Sequence, residues 1–128
     1  MNRPPSHSAM PRTLAPLALM VVIFILSGQS QTGSGFPEWA RVVAHFSEYA
    51  LLAALWAWAL APRIGRKALL ATAAISVLYA VSDEIHQSFI AGRDADPFDV
   101  VVDCAGIAAA LALLSVRARS RRMARRAP

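Results

Sequence analysis

The chain of 128 residues is 56% hydrophobic and only 16% charged, with a mean hydropathy of +0.44. This composition is too apolar for an ordinary soluble domain of this length and predicts a membrane protein. The net charge of +5 does not indicate nucleic-acid binding, because the basic residues lie mainly in segments that precede, separate or follow the apolar runs. We therefore expect the lipid bilayer, and no nucleic acid, as a partner.

Four apolar runs follow one another along the chain, at residues 14–27, 40–61, 68–90 and 98–116. Most of them approach the roughly 20 residues that a helix needs to cross a bilayer. We predict an all-α membrane protein, with a bundle of four transmembrane helices over residues 13–116, a flexible tail over residues 1–12 and a basic tail over residues 117–128. A cleaved signal peptide over residues 1–30 is the alternative for the first run, but the absence of an A-x-A site favours an uncleaved helix.

Basic residues mark one side of the predicted bundle. Eleven of the thirteen Lys and Arg residues fall in the N-terminal tail, the second loop and the C-terminal tail, which share one side in a four-helix topology. By the positive-inside rule that side is the cytoplasm, so both termini are predicted to be cytoplasmic. The basic C-terminal segment RARSRRMARR is expected to contact anionic lipids.

Proline, glycine and aspartate mark the predicted helix ends. The second helix should begin near Pro37 and stop before Pro62, and the third should end near Gly92. Asp96, which precedes a proline, is typical of the N-cap of the fourth helix. Along that helix, Gly106 lies in a run of small residues that should allow close packing against a neighbouring helix.

The polar residues of the last three helices recur at intervals of three and four, which places them on one face of each helix. Several of them lie in a common layer, roughly 10 Å below the outer helix ends. Because ionisable groups at this depth are costly toward lipid, we expect them to line an outward-facing pocket. The predicted pocket residues are His45, Glu48, Tyr49, Asp83, Glu84, His86, Gln87, Arg93, Asp99 and Asp103.

The predicted pocket is strongly acidic and requires charge compensation. Carboxylates crowded into a poorly solvated site cannot all remain ionised without a cation. Three outcomes are possible: some of the carboxylates are protonated, Arg93 folds into the pocket, or a divalent metal binds. The metal would use the HxxE segment at residues 45–48 and the DExH segment at residues 83–86. Neither spacing is diagnostic of a metal, so we expect no cofactor, with a divalent metal as the alternative. Arg93 is by default a solvated loop residue; facing Asp94, Asp96 and Asp99, it could instead clamp an anionic head group.

Two segments carry a resemblance to a known family. VVAHFSEYALLA at residues 42–53 and SDEIHQSFIAGRDADPFDVVVDCAG at residues 82–106 resemble the VanZ-like family of small bacterial membrane proteins, named for an accessory protein of glycopeptide (teicoplanin) resistance. Asp103 stands where the family usually has Asn, and Arg41 alone represents the basic residue before the histidine. The matching residues are His45, Phe46, Tyr49, Ser82, Asp83, Glu84, Gln87, Phe89, Arg93, Asp99 and Gly106.

The resemblance implies a multi-pass protein of the bacterial inner membrane, connected with the cell envelope or the antibiotic response. We expect a binding or accessory protein whose pocket holds an envelope lipid or a glycopeptide. The alternative is a membrane enzyme that acts on a lipid-linked envelope substrate, with the acids and histidines as acid, base or metal ligands.

Overall fold

The computed structural model describes residues 11–30, 37–93 and 95–125. Within these ranges the chain forms four α-helices: α1 (Leu14–Ser27), α2 (Glu38–Ile64), α3 (Ala68–Gln87) and α4 (Pro97–Ala124). A single 3-10 turn, Gly65–Lys67, joins α2 to α3, and no strand is present among the described residues. Most of the predicted N-terminal tail, the last three residues and Asp94 lie outside these ranges.

The second helix ends later than the sequence predicts. It continues through Pro62 to Ile64, so the predicted stop before Pro62 is wrong. Proline has a helical φ angle and lacks only one N–H, so near a helix end it removes a hydrogen bond without stopping the helix. The chain leaves the helix at Gly65, whose φ of 55° suits glycine and whose N–H donates to the carbonyl oxygen of Ala61.

The ends of α3 and α4 agree only partly with the predicted boundaries. α3 stops at Gln87, and a turn containing Gly92, at a φ of 78°, leads toward α4. The predicted N-cap is confirmed, because the Asp96 side chain accepts a 2.9 Å hydrogen bond from the Phe98 N–H. α4 continues past the predicted end at residue 116 to Ala124, since the arginines and alanines of the basic segment are good helix formers.

Helix α2 occupies the centre of the packing and contacts each of the other helices, most extensively α4. The α2–α4 approach is close at Gly106, where an added Cβ would overlap the Phe46 carbonyl oxygen and lie 3.2 Å from the Ala50 nitrogen. The prediction of close packing at this small residue is confirmed. The apolar core below consists of Ile23, Tyr49, Leu52, Ala53, Trp56, Ala80 and Ile107.

Two stretches are long and apolar enough to cross a membrane: Glu38–Gln87, which comprises α2 and α3, and Pro97–Ala124. α1 is apolar but shorter. Large apolar side chains project outward from these helices, with Leu70 76% exposed and Leu78 71% exposed. Polar side chains such as Thr72, Ser76 and Asp83 are buried inside. This distribution, with an apolar exterior, is that of a membrane protein.

Candidate functional site

One end of the helix bundle contains a polar cleft of about 530 Å³. It lies where the C-terminal end of α1, the N-terminal half of α2 and the C-terminal end of α3 meet. Its volume falls within the range of about 300–1,000 Å³ that is usual for small-molecule sites. The cleft is lined by Ile23, Leu26, Ser27, Glu38, Ala40, Arg41, Ala44, His45, Glu48, Asp83, Gln87 and Arg93.

An ionic network joins α2 to α4 beside the cleft. Arg41 donates to Asp99 at 2.7 Å and lies 3.6 Å from an Asp96 oxygen. His45 Nδ1 lies 3.0 Å from Asp103 Oδ1, and His45 Nε2 lies 3.6 Å from Asp99 Oδ2. Asp99 and Asp103 are each only 2% exposed. A carboxylate near each ring nitrogen fixes the imidazole orientation, and Arg41 offsets part of the buried negative charge.

A second network, on the opposite side of the cleft, joins α3 to α1. Gln87 Nε2 donates to Asp83 Oδ2 at 2.9 Å, and Gln87 Oε1 accepts a 3.0 Å hydrogen bond from Arg93 Nε. A terminal guanidinium nitrogen of Arg93 donates to the Ser27 carbonyl oxygen at 2.9 Å. Carbonyl groups at a helix C-terminus lack intrahelical partners. Arg93 supplies a hydrogen-bond donor to such a carbonyl group of α1 and so holds the end of α1 against α3.

Further contacts between α1 and α3 lie beside this second network. The His86 ring stacks on Phe24 with centroids 4.2 Å apart, and His86 Nδ1 lies 3.4 Å from the Ser27 hydroxyl oxygen. Deeper in the bundle, the Tyr79 hydroxyl donates to the Met20 carbonyl oxygen. α1, the shortest of the four helices, is therefore held against α3 by hydrogen bonds as well as by apolar packing.

Several buried oxygen atoms near the site have no hydrogen-bond partner among the described residues. They are the Tyr49 hydroxyl, Asp83 Oδ1, Glu84 Oε1 and Asp99 Oδ1. Leaving such groups unpaired is costly, since each loses its hydration on burial. Asp83 is the one of these residues that also lines the cleft, and its unpaired Oδ1 is itself buried.

A family model for VanZ/LLP1 matches residues 12–118, which is most of the chain and contains every residue of both networks. The chain belongs to the VanZ/LLP1 family. The resemblance predicted from the two sequence segments is thereby confirmed. No curated protein and no solved structure matches the chain.

The predicted pocket residues of this VanZ/LLP1 chain occupy three different places. His45, Glu48, Asp83, Gln87 and Arg93 line the cleft itself. Asp99 and Asp103 are buried beside His45 and bind it from α4. The other three are outside the cleft lining: Tyr49 is fully buried, Glu84 is half-buried, and His86 is half-buried against α1.

The structure assigns hydrogen-bond partners to two of the predicted pocket residues. His45 is bonded to Asp103 and Asp83 to Gln87, and no hydrogen bond joins His45 to Asp83 among the described residues. Arg93 is also not a solvated loop residue, because it folds against Gln87 and the end of α1. The sequence shows that these residues share a level of the bundle, but not which helices are adjacent at that level.

Arg41 is the principal site residue that is absent from the predicted pocket residues, although it occupies the basic position before the histidine. It lies four residues before His45 and therefore on the same face of α2, and this spacing was the available signal. Among residues 11–30, 37–93 and 95–125, no group of three or more His, Cys, Asp or Glu side chains is arranged to hold a metal ion.

Proposed function

We propose that this VanZ/LLP1 protein resides in the plasma (inner) membrane, which its four helices cross with both termini in the cytoplasm. We further propose that its cleft faces outward and binds the polar part of an envelope lipid or a glycopeptide. In this role the protein is an accessory factor of the cell envelope or of the response to glycopeptide antibiotics.

The observation that carries this proposal is the inward orientation of the ionisable side chains at one end of an otherwise apolar bundle. His45, Asp83, Asp99 and Asp103 are all at least nine-tenths buried, while apolar side chains cover the exterior. Charged groups inside a membrane protein are costly and typically mark a binding or transport site. Arg41 and Arg93 are held by the networks at the cleft, so the site has defined positions for both signs of charge.

The distribution of basic residues supports the outward orientation of the cleft. Arg63, Arg66 and Lys67 lie at the turn between α2 and α3, at the end of α2 remote from the cleft. The arginines of the last turns of α4 lie at the corresponding end of that helix. The positive-inside rule places this end in the cytoplasm, where the basic segment of α4 meets anionic lipids.

An enzyme acting on a lipid-linked envelope substrate is the second candidate. It is favoured by one specific feature, the imidazole of His45 between two buried carboxylates and next to an open cleft. In such a mechanism His45 or Asp83 would transfer a proton to or from the substrate, with or without a divalent metal.

One experiment separates the two candidates. The protein is purified in detergent without added metal and incubated with a labelled lipid-linked envelope precursor or with a glycopeptide, and both retention and conversion are measured. Retention of either ligand without conversion supports the binding function. Product formation that Asp83→Asn abolishes supports the enzyme instead, and elemental analysis of the same preparation tests for a bound divalent metal. Absence of retention and of conversion contradicts both.

A further inference from the structure

The cleft contains one cationic and two anionic side chains that have no ion-pair partner among the described residues. Arg41 is not the cation, because Glu38, Asp96 and Asp99 all lie within 4 Å of its guanidinium group. The unpaired groups are Arg93, Glu48 and Asp83, and all three line the cavity. A molecule that pairs with all of these groups must carry both a negative and a positive charge.

Arg93 is positioned as a binding group for an anion. Its hydrogen bonds go to the side-chain amide of Gln87 and to the carbonyl oxygens of Leu26 and Ser27. These acceptors are neutral, so they orient the guanidinium group without cancelling its charge. The second terminal nitrogen makes no hydrogen bond to a described residue. A fixed guanidinium group with free donors is suited to a phosphate or carboxylate group.

The carboxylates in the same cleft favour a cation and oppose an isolated anion. Glu48 is half-buried and makes no hydrogen bond or ion pair with a described residue. Asp83 is 4% exposed, and its Oδ1 has no partner, whereas its Oδ2 accepts from Gln87. A buried carboxylate oxygen without a partner is strongly stabilised by a charged donor. An ammonium group that enters between these two side chains supplies such donors.

We propose that the cleft recognises a zwitterionic head group in which a phosphate and a primary ammonium are separated by a short linker, as in phosphoethanolamine. The phosphate binds Arg93, and the ammonium binds Glu48 and Asp83. This inference rests on the proposed binding function and specifies its ligand class. A lone anion would meet the two carboxylates, and a lone cation would leave Arg93 unpaired, so only a ligand with both charges satisfies the whole cleft.

The apolar part of the lining is consistent with a lipid as the source of this head group. Ile23 and Leu26 of α1 and Ala40 and Ala44 of α2 line the same cavity as the charged residues. These side chains provide a surface for the glycerol and the upper acyl chains beside the polar end. Free phosphoethanolamine has the same charges but would leave this apolar surface uncovered.

The test measures binding to the full-length protein in detergent micelles by isothermal titration. The probes are dihexanoyl phosphatidylethanolamine, the corresponding phosphatidylcholine and phosphatidylglycerol, and free phosphoethanolamine. The ethanolamine lipid should bind at least about tenfold more tightly than the glycerol lipid, as expected for one charge-assisted hydrogen-bonded contact. Free phosphoethanolamine that binds as tightly as the lipid would identify the soluble molecule as the source, and much weaker binding would identify the lipid.

Two substitutions test the two halves of the cleft. Glu48→Gln should reduce the preference for the ethanolamine lipid over the glycerol lipid to less than about threefold, because the ammonium loses a charged partner. Arg93→Gln should weaken binding of the ethanolamine lipid by at least about tenfold. Arg66→Gln, which removes the same charge at the remote end of α2, is the matched control and should leave binding unchanged.

Arg93 also holds the end of α1, so Arg93→Gln could weaken binding by loosening the helix packing. The Glu48→Gln result is therefore decisive for the inference. Equal affinity for the ethanolamine and glycerol lipids in the unsubstituted protein, or a preference that Glu48→Gln leaves intact, would overturn the zwitterion assignment. If the same preparation still retained an envelope precursor or a glycopeptide, the proposed binding function would stand. Absence of binding to every lipid, precursor and glycopeptide would overturn both.

Discussion

The close contact between α2 and α4 predicts that Gly106→Ala destabilises the protein. The new Cβ would overlap the Phe46 carbonyl oxygen and lie 3.1 Å from the Phe46 carbonyl carbon, and these are backbone atoms that cannot rotate away. Overpacking of this kind costs about 1–3 kcal/mol. The higher helix propensity of alanine offsets about 0.5–1 kcal/mol of that. Because the overlapped atoms are backbone, the cost should lie in the upper half of that range, and we expect a net loss of about 1–2.5 kcal/mol in the free energy of unfolding.

The loss is measured by unfolding the protein in mixed micelles with an increasing fraction of SDS, followed by the fluorescence of the tryptophans, of which Trp56 lies in the core. Gly28→Ala is the matched control, because its new Cβ would make no comparable overlap. The nearest atoms would be the Phe24 carbonyl oxygen at 3.3 Å and a His86 ring carbon at 3.4 Å. We expect a change within about 0.5 kcal/mol for this control. A Gly106→Ala protein as stable as the unsubstituted one would refute the close helix contact.

Three further predictions address the networks and the topology. Arg41→Gln leaves the buried carboxylate of Asp99 without its 2.7 Å partner and should lower the free energy of unfolding by about 3 kcal/mol in the same SDS assay. Tyr79→Phe removes a hydrogen bond to an α1 carbonyl group and should lower the free energy of unfolding by about 1 kcal/mol. An unchanged unfolding midpoint for either variant would contradict the contact assigned to that residue. Reporter fusions at Gly65 and Ala95 should report cytoplasmic and external locations respectively, and a cytoplasmic signal from Ala95 would exclude the proposed topology.

The helices themselves could be predicted from the sequence because apolar runs and capping residues are local signals. The first helix has the predicted bounds, and Asp96 caps α4 as its position before a proline indicates. The extensions of α2 through Pro62 and of α4 to Ala124 could not be predicted from the apolar pattern. Both depend on whether helical hydrogen bonds continue beyond the apolar run, which hydrophobicity does not report.

The composition of the site could be predicted better than its contacts. Helical spacing predicts that the ionisable side chains turn inward, and His45, Asp83, Asp99 and Asp103 are buried. The partner of each side chain depends on the order and rotation of the helices, which a single sequence does not specify. The sequence therefore does not specify that His45 and Arg41 both bind carboxylates of α4.

The central claim, an outward-facing polar cleft within a membrane bundle, is tested most directly by the accessibility of single cysteines in spheroplasts. Cys104 is the only native cysteine and is replaced by alanine, after which Glu48→Cys and Arg66→Cys are made separately. A membrane-impermeant maleimide should label Glu48→Cys in intact spheroplasts and Arg66→Cys only after lysis, because Glu48 lines the cleft and Arg66 lies at the remote turn. The reverse pattern, or a Glu48→Cys protein that stays unlabelled even after lysis, would contradict the account.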